Sequence, residues 1–242
     1  MPSRVTPRWY PNACLADHVT IASHLPRIMG AYVGPNAIEA ATNEKIMLTV
    51  NGVNDCEYCT GLHGELGRMA GAEDAVDAKA QACVTYAKIF AQHDGRGAVV
   101  EAAKADLVAA VGAGVAESAQ ALCWFILWGS VSGHCLNAFW KGRLIFDPQP
   151  HSNPIFEVLF AAYYTPLYAL VVITTQILKV FPAKGKKVVN AAVGAVLTVV
   201  AGTWIVPLGL FGALTRPLRG RVKGASTTRD VECGGKKKKK KN

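Results

Sequence analysis

Asn54 to Gly71 reads NDCEYCTGLHGELGRMAG, two residues able to cap a helix, a stretch of helix and a closing glycine. Asn54 or Asp55 can accept the first unpaired N–H groups of a helix over Cys56 to Met69, and Gly71 can adopt the left-handed backbone that ends it. In that helix Cys56 and Cys59 stand at i and i+3, and Cys59 and His63 at i and i+4, so two thiols and an imidazole share one face. The unpaired N–H groups and macrodipole at a helix N-terminus favour a thiolate, so at least one of the two cysteines is expected to ionise more readily than an ordinary thiol. A thiolate is the nucleophile that attacks a peroxide oxygen or a disulfide sulfur.

Upstream, a helix is expected from about Asn36 to Val53, with Ile38, Ile46, Met47 and Val50 on its apolar side and Gly52-Val53-Asn54-Asp55 breaking it. Glu44 lies on this helix. Antiparallel packing against the motif helix could bring it to His63, completing an arrangement of nucleophile (Cys59), base (His63) and orienting carboxylate (Glu44). Glu57 and Glu65, on the motif helix itself, are turned away. Helical spacing also runs through Val19 to Tyr32, Glu73 to Gln92, Val99 to Val111 and Ala116 to Leu144, the last ending before Asp147-Pro148-Gln149-Pro150. Nothing up to residue 145 alternates with a period of two, so this domain is expected to be all-α.

Beyond the prolines, Val158 to Leu178 and Val188 to Thr215 give 21 and 28 residues without a formal charge. Each exceeds the roughly 20 residues that span a hydrocarbon core. Pro166 and Pro207 are tolerated in such helices. The expected organisation is therefore a lead over 1–17, a helical domain over 18–147, a transmembrane hairpin over 155–215, and a basic disordered tail over 216–242. A hairpin would return the tail to the same side of the membrane as the domain.

The net charge of +9 is not spread along the chain. Residues 1–215 hold fifteen Lys/Arg and fifteen Asp/Glu, and the excess lies in the tail, chiefly Lys236 to Lys241. That excludes a general nucleic-acid-binding surface and suits contact with membrane lipid headgroups. Seven cysteines with one close pair are not a secreted disulfide framework. Cys14, Cys83, Cys123 and Cys135 are expected to pack as small hydrophobes, and no apolar run after Arg4 and Arg8 marks a cleaved secretory signal.

Glu44, eleven further residues, then Cys-x-Tyr-Cys-x-x-x-His resembles the alkylhydroperoxidase D-like branch of the carboxymuconolactone decarboxylase superfamily. His24-Leu25-Pro26, Glu44-Lys45-Ile46, Gly71-Ala72-Glu73, and Gly114 leading into a helix with Asn137 extend the resemblance over about residues 18–145. It implies an all-helical, self-associating fold, a homo-oligomer. It further implies that Cys59 attacks the peroxide and passes through a sulfenic acid, that Cys56 resolves it, and that His63 and Glu44 relay protons. Tyr58 stands where some founding members carry a second histidine. No metal or organic cofactor is implied, but a dithiol or thioredoxin-like electron donor must re-reduce the disulfide.

The expectation is thus a membrane-anchored thiol-dependent peroxidase or disulfide reductase acting on hydroperoxides, lipid-derived ones at the bilayer surface included. Two other functions fit the chain: a non-catalytic accessory subunit of a membrane complex, and a lactone decarboxylase-like enzyme, although decarboxylase members do not generally rely on such a cysteine pair. Cys56, Cys59, His63 and Glu44 also have zinc-ligand chemistry, without the second ligand pair that structural zinc sites usually show.

Overall fold

The computed structural model of the chain describes residues 11–75, 77–140, 153–182 and 187–217. Among these residues run eight α-helices and one short 3-10 turn, with no strand. The helices are α1 (Pro11–Tyr32), α2 (Ala40–Asn54), α3 (Glu57–Ala70), α4 (Ala78–Gln92), α5 (Ala98–Val111), α6 (Ala113–Trp140), α7 (Pro154–Leu178) and α8 (Lys187–Thr215). The proline-rich stretch at 147–150 and the tail beyond residue 217 lie outside the described residues.

Local chemistry explains where the helix ends differ from expectation. α1 begins at Pro11, well before Val19, because proline is at home in the first turn of a helix, where its missing N–H costs nothing. α4 begins at Ala78 rather than Glu73: Asp77 Oδ1 accepts the Ala80 N–H at 2.9 Å, while Ala72–Asp74 form the 3-10 turn. α7 opens with Asn153 Oδ1 accepting the Phe156 N–H at 3.0 Å, and buried Glu157 accepts the Asn153 N–H at 3.2 Å. Two of the N–H groups at that helix start are satisfied reciprocally.

α6 is the central element, with α1, α2, α4, α5 and α7 packed around it. Its buried residues, among them Ala119, Leu122, Ile126 and Leu136, meet Ile21, Ile28, Ile46, Met47, Tyr86 and Phe90 in one core. Cys14, Cys83, Cys123 and Cys135 are all buried there. Between α1, α6 and α7, His18 donates Nδ1–H to the Cys14 carbonyl at 2.6 Å and accepts at Nε2 from the Tyr164 hydroxyl and the Trp128 indole. Burial holds its pKa below the usual histidine value, in keeping with a neutral ring that both gives and receives.

Among the described residues three helices are long and apolar enough to cross a membrane: Ala113–Trp140, Pro154–Leu178 and Ala191–Thr215. Their surroundings differ. Within the most apolar stretch of each, 67% of α6 is buried inside the protein, against 33% of α7 and 22% of α8. The hydropathy of α6 is that of a core helix, whereas α7 and α8 turn Leu159, Ile173, Ile177, Val199, Leu210 and Leu214 outward.

α7 and α8 do not stand away from the N-terminal helices. α8 lies antiparallel along nearly the whole of α1, Gly212 beside Leu15, Gly209 beside His18 and Gly194 beside Tyr32. A Cβ at Gly209 would stand 3.0 Å from the His18 carbonyl oxygen, and one at Gly212 would stand 2.8 Å from that of Leu15, so only glycine permits this approach. α7 packs instead on α3 and α6, and Arg68 Nη2 donates to the Leu178 carbonyl at its C-terminus at 3.1 Å. The two helices are tied to each other by a reciprocal pair, the Tyr163 hydroxyl to Trp204 O at 2.8 Å and Trp204 Nε1 to Tyr163 O at 2.9 Å.

Candidate active site

The turn between α2 and α3 sets the site. Asp55, at φ 58° and ψ 46°, takes the left-handed conformation that short polar side chains tolerate, and its N–H returns to Asn51 O at 2.7 Å. The chain then reverses directly into α3. His134 Nε2–H, from α6, donates to Asn54 O at 2.7 Å and pins the turn. The N-cap of α3 is neither Asn54 nor Asp55 but Cys56, whose Sγ accepts the Cys59 N–H at 3.4 Å. The sulfur itself therefore occupies the place to which the free N–H groups of the helix point.

Both sulfurs are buried under α6. A Cβ at Gly133 would stand 3.0 Å from Cys56 Sγ, so the glycine there lets α6 close tightly over that sulfur, while Gly129 lies at ordinary contact distance from Cys59 Sγ. The Cys59 thiol donates to Cys56 Sγ; that bond, helped by the N–H groups of Cys59 and Tyr58, holds the Cys56 pKa below the ordinary thiol value against the opposing effect of burial. Burial pushes Cys59 well up, its bond to Cys56 adds to the rise, and the Ser130 hydroxyl works against it. The Cys59 thiol is thus the donor of the pair, and Cys56 is the sulfur that ionises the more readily.

The thiolate absorbance of Cys56, taken as wild type minus Cys56→Ser at 240 nm, is accordingly expected to persist to lower pH than that of an ordinary cysteine. It should move up in Cys59→Ala, where the donor is gone; a titration unaffected by that change would contradict the hydrogen bond between the sulfurs. The sign for stability follows: with the folded pKa depressed, the stabilisation is present above the unfolded thiol value and is lost as pH falls through the folded one.

α2 and α3 pack side by side, and His63 Nδ1 meets Glu44 Oε2 at 2.8 Å, both side chains buried. A carboxylate has no proton to give, so Nδ1–H is the donor and Nε2 is left to exchange protons. Glu44 Oε1 has no hydrogen-bond partner among the described residues. Glu65 is taken by Arg68 at 2.8 Å, and Glu57 accepts from Asn137 at 3.5 Å. The structure therefore pairs Glu44 with His63 between α2 and α3, pairs the two cysteines with each other at the start of α3, and sets the other two carboxylates on partners of their own. Among the described residues no three His, Cys, Asp or Glu side chains converge as metal ligands.

No known family, curated protein or solved structure matches the chain. A cavity of about 80 Å³ lies against it, with Cys59, His63 and Tyr58 on its wall. Cys56 is not on that wall. Cys59 is the sulfur a small molecule in the cavity can reach, and Cys56 is the one placed behind it.

Sequence reasoning missed Tyr168 and Ser130. Tyr168 comes from the middle of α7; its hydroxyl lies 2.6 Å from both Gly129 O and Ser132 Oγ, and its ring stands edge-on to Tyr58 at 4.9 Å between centroids. Tyr58 in turn donates to Asn137 Oδ1 at 3.2 Å. A signal for Tyr168 was available: at the centre of a 21-residue uncharged run it is too deep for an interfacial ring, so its hydroxyl needs a protein partner. Ser130, 3.3 Å from Asn51 Oδ1 and bonded to Cys59, carries no such signal.

Proposed function

We propose that this protein is a membrane-anchored, self-associating thiol peroxidase of the alkylhydroperoxidase D-like kind, reducing hydroperoxides through Cys59 and Cys56. The observation that carries the reading is a cavity wall shared by a reachable thiol, Cys59, and an imidazole oriented by a buried carboxylate, with a second sulfur hydrogen-bonded to the first from behind the wall. α7 and α8, with their outward apolar faces, supply the anchor.

Chemically, Cys59 gives up its proton to Cys56 or to His63 Nε2 and attacks the terminal peroxide oxygen. The O–O bond breaks, Cys59 becomes a sulfenic acid, and the leaving alkoxide takes the proton back from the relay to depart as alcohol. Cys56 then attacks the Cys59 sulfur; the S–O bond breaks, and hydroxide leaves as water after taking a proton. One thiol–thiolate pair, one hydroperoxide and one solvent proton thus give a disulfide, an alcohol and water, and an external dithiol returns the disulfide to two thiols.

The test uses membranes. After a carbonate wash and limited peroxide, mass spectrometry of the retained protein is expected to find a Cys56–Cys59 bond reversible by dithiol. Protein lost to the wash contradicts the anchor, and cysteines that stay free contradict the chemistry. A second reading draws on the same outward faces of α7 and α8: a non-catalytic subunit buried in a larger membrane assembly. It requires co-migration with that assembly and no peroxide consumption.

A further inference from the structure

The cavity at Cys59 is not a pocket of the N-terminal helices alone. Cys59, His63 and Tyr58 form one side; Leu167, Tyr168 and Val171 of α7 with Leu197 and Ala201 of α8 form the other. α7 and α8 are joined toward one end by the Tyr163–Trp204 pair, and toward the other Val171, Val193 and Leu197 gather over Leu62 and Leu66. The cavity lies behind the strip between these points, and Leu170 and Val196, near the same strip, are exposed on the outside. On the α7–α8 side an occupant meets carbon apart from the Tyr168 hydroxyl, which is bonded to Gly129 O and Ser132 Oγ.

Size narrows the occupant further. A water needs roughly 10–15 Å³ of such space, and a cavity of about 150 Å³ takes a benzene ring. The present one, at about 80 Å³, is roomier than hydrogen peroxide requires and is about half the space of that benzene-binding cavity. A run of a few methylene carbons fits between those limits.

We infer that α7 and α8 are the substrate side of the thiol site, and that the cavity between them and Cys59 selects the hydroperoxide of an unbranched acyl chain entering from the hydrocarbon phase. The inference rests on the peroxidase reading and adds a role for the anchor: its helices are specificity elements, with Ala201 and Leu197 setting the space beside Cys59.

The experiment uses the full chain in phosphatidylcholine vesicles, with octadecadienoic acid hydroperoxide, cumene hydroperoxide and hydrogen peroxide as substrates. Wild type is expected to prefer the linear hydroperoxide to cumene hydroperoxide in kcat/KM by at least about tenfold, the scale of small shape differences in an apolar pocket. Ala201→Phe fills the cavity and should lower the ratio of linear hydroperoxide to hydrogen peroxide by a similar factor. Leu197→Ala enlarges it and should raise cumene hydroperoxide relative to the linear substrate, a gain that a misfolded protein cannot show. Ratios equal to wild type in both variants overturn the inference.

Binding is read separately by quenching of tryptophan fluorescence with a brominated octadecanoic acid, since Trp128 lines the cavity. If wild type consumes no peroxide of any size, the peroxidase reading falls; quenching weakened by Ala201→Phe still establishes an acyl site, and quenching identical in the two proteins removes it.

Discussion

In Cys59→Ser, peroxide consumption supported by a dithiol donor is expected to fall by at least about 10³-fold, the scale of losses seen when a covalent nucleophile is removed. The expectation comes from position rather than from acidity. Cys56 has the lowered pKa, but it is the cap of α3 and faces Gly133 of α6, whereas Cys59 faces the cavity. A sulfur that no substrate can reach does no chemistry, however readily it ionises; the one at the cavity, with a neighbouring sulfur behind it and an imidazole on the same wall, does. Cys56→Ser should behave differently. It removes the resolving sulfur while leaving the attacking one, so one equivalent of peroxide is consumed, turnover stalls, and dimedone labels Cys59. Dimedone labelling of Cys56 in Cys59→Ser, with a full equivalent consumed, would reverse the assignment.

Much of this site was legible because its parts are local. Cys56, Cys59 and His63 lie within eight residues, and the periodicity of a helix alone puts them on one face. Glu44 required one more step, an antiparallel turn between two helices, and the broken stretch before Cys56 announced it. The cap did not follow in the same way: Asn54 and Asp55 have better capping chemistry than a thiol, but the left-handed turn at Asp55 uses up that residue and hands the position to Cys56. Tyr168 and Ser130 belong to distant helices, and no spacing rule links them to Cys59.

The C-terminal helices show a different limit. A long apolar run reports that water is absent, not which neighbour replaces it. α6 and α8 both qualify as possible spans, yet one is wrapped by protein and the other is mostly uncovered. The distinguishing signal lay in small residues rather than in hydropathy. Gly194, Gly202 and Gly209 recur every seven or eight residues, the spacing at which one face of a helix returns to its neighbour, and that face seats α8 on α1. Hydropathy marked both helices as possible spans; the glycines hold α8 along α1, while α7 packs on α3 and α6 beside the sulfurs.

Glu44→Ala is expected to damage stability and turnover together. Glu44 and His63 are both buried, so removing the carboxylate leaves the Nδ1–H of His63 without an acceptor and opens a void beside it. Breaking a buried pair from one side typically costs about 3–5 kcal/mol. At about 2–4 °C per kcal/mol for a chain of this length, the midpoint of thermal unfolding should drop by roughly 6–20 °C. Turnover should fall by about 10²–10⁴-fold, the usual contribution of positioned proton transfer, because an unanchored imidazole is no longer held on the cavity wall it shares with Cys59. Glu44→Gln separates the two effects: the amide oxygen can still accept from Nδ1–H, so most of the stability should return, while the missing negative charge no longer supports an imidazolium and turnover stays low. Calorimetry and peroxide assay on the same two preparations make the comparison. If Glu44→Gln restores turnover along with stability, Glu44 only holds His63 in place and its charge has no part in the relay; if Glu44→Ala leaves both quantities at wild-type values, the carboxylate and imidazole are not a working pair at all.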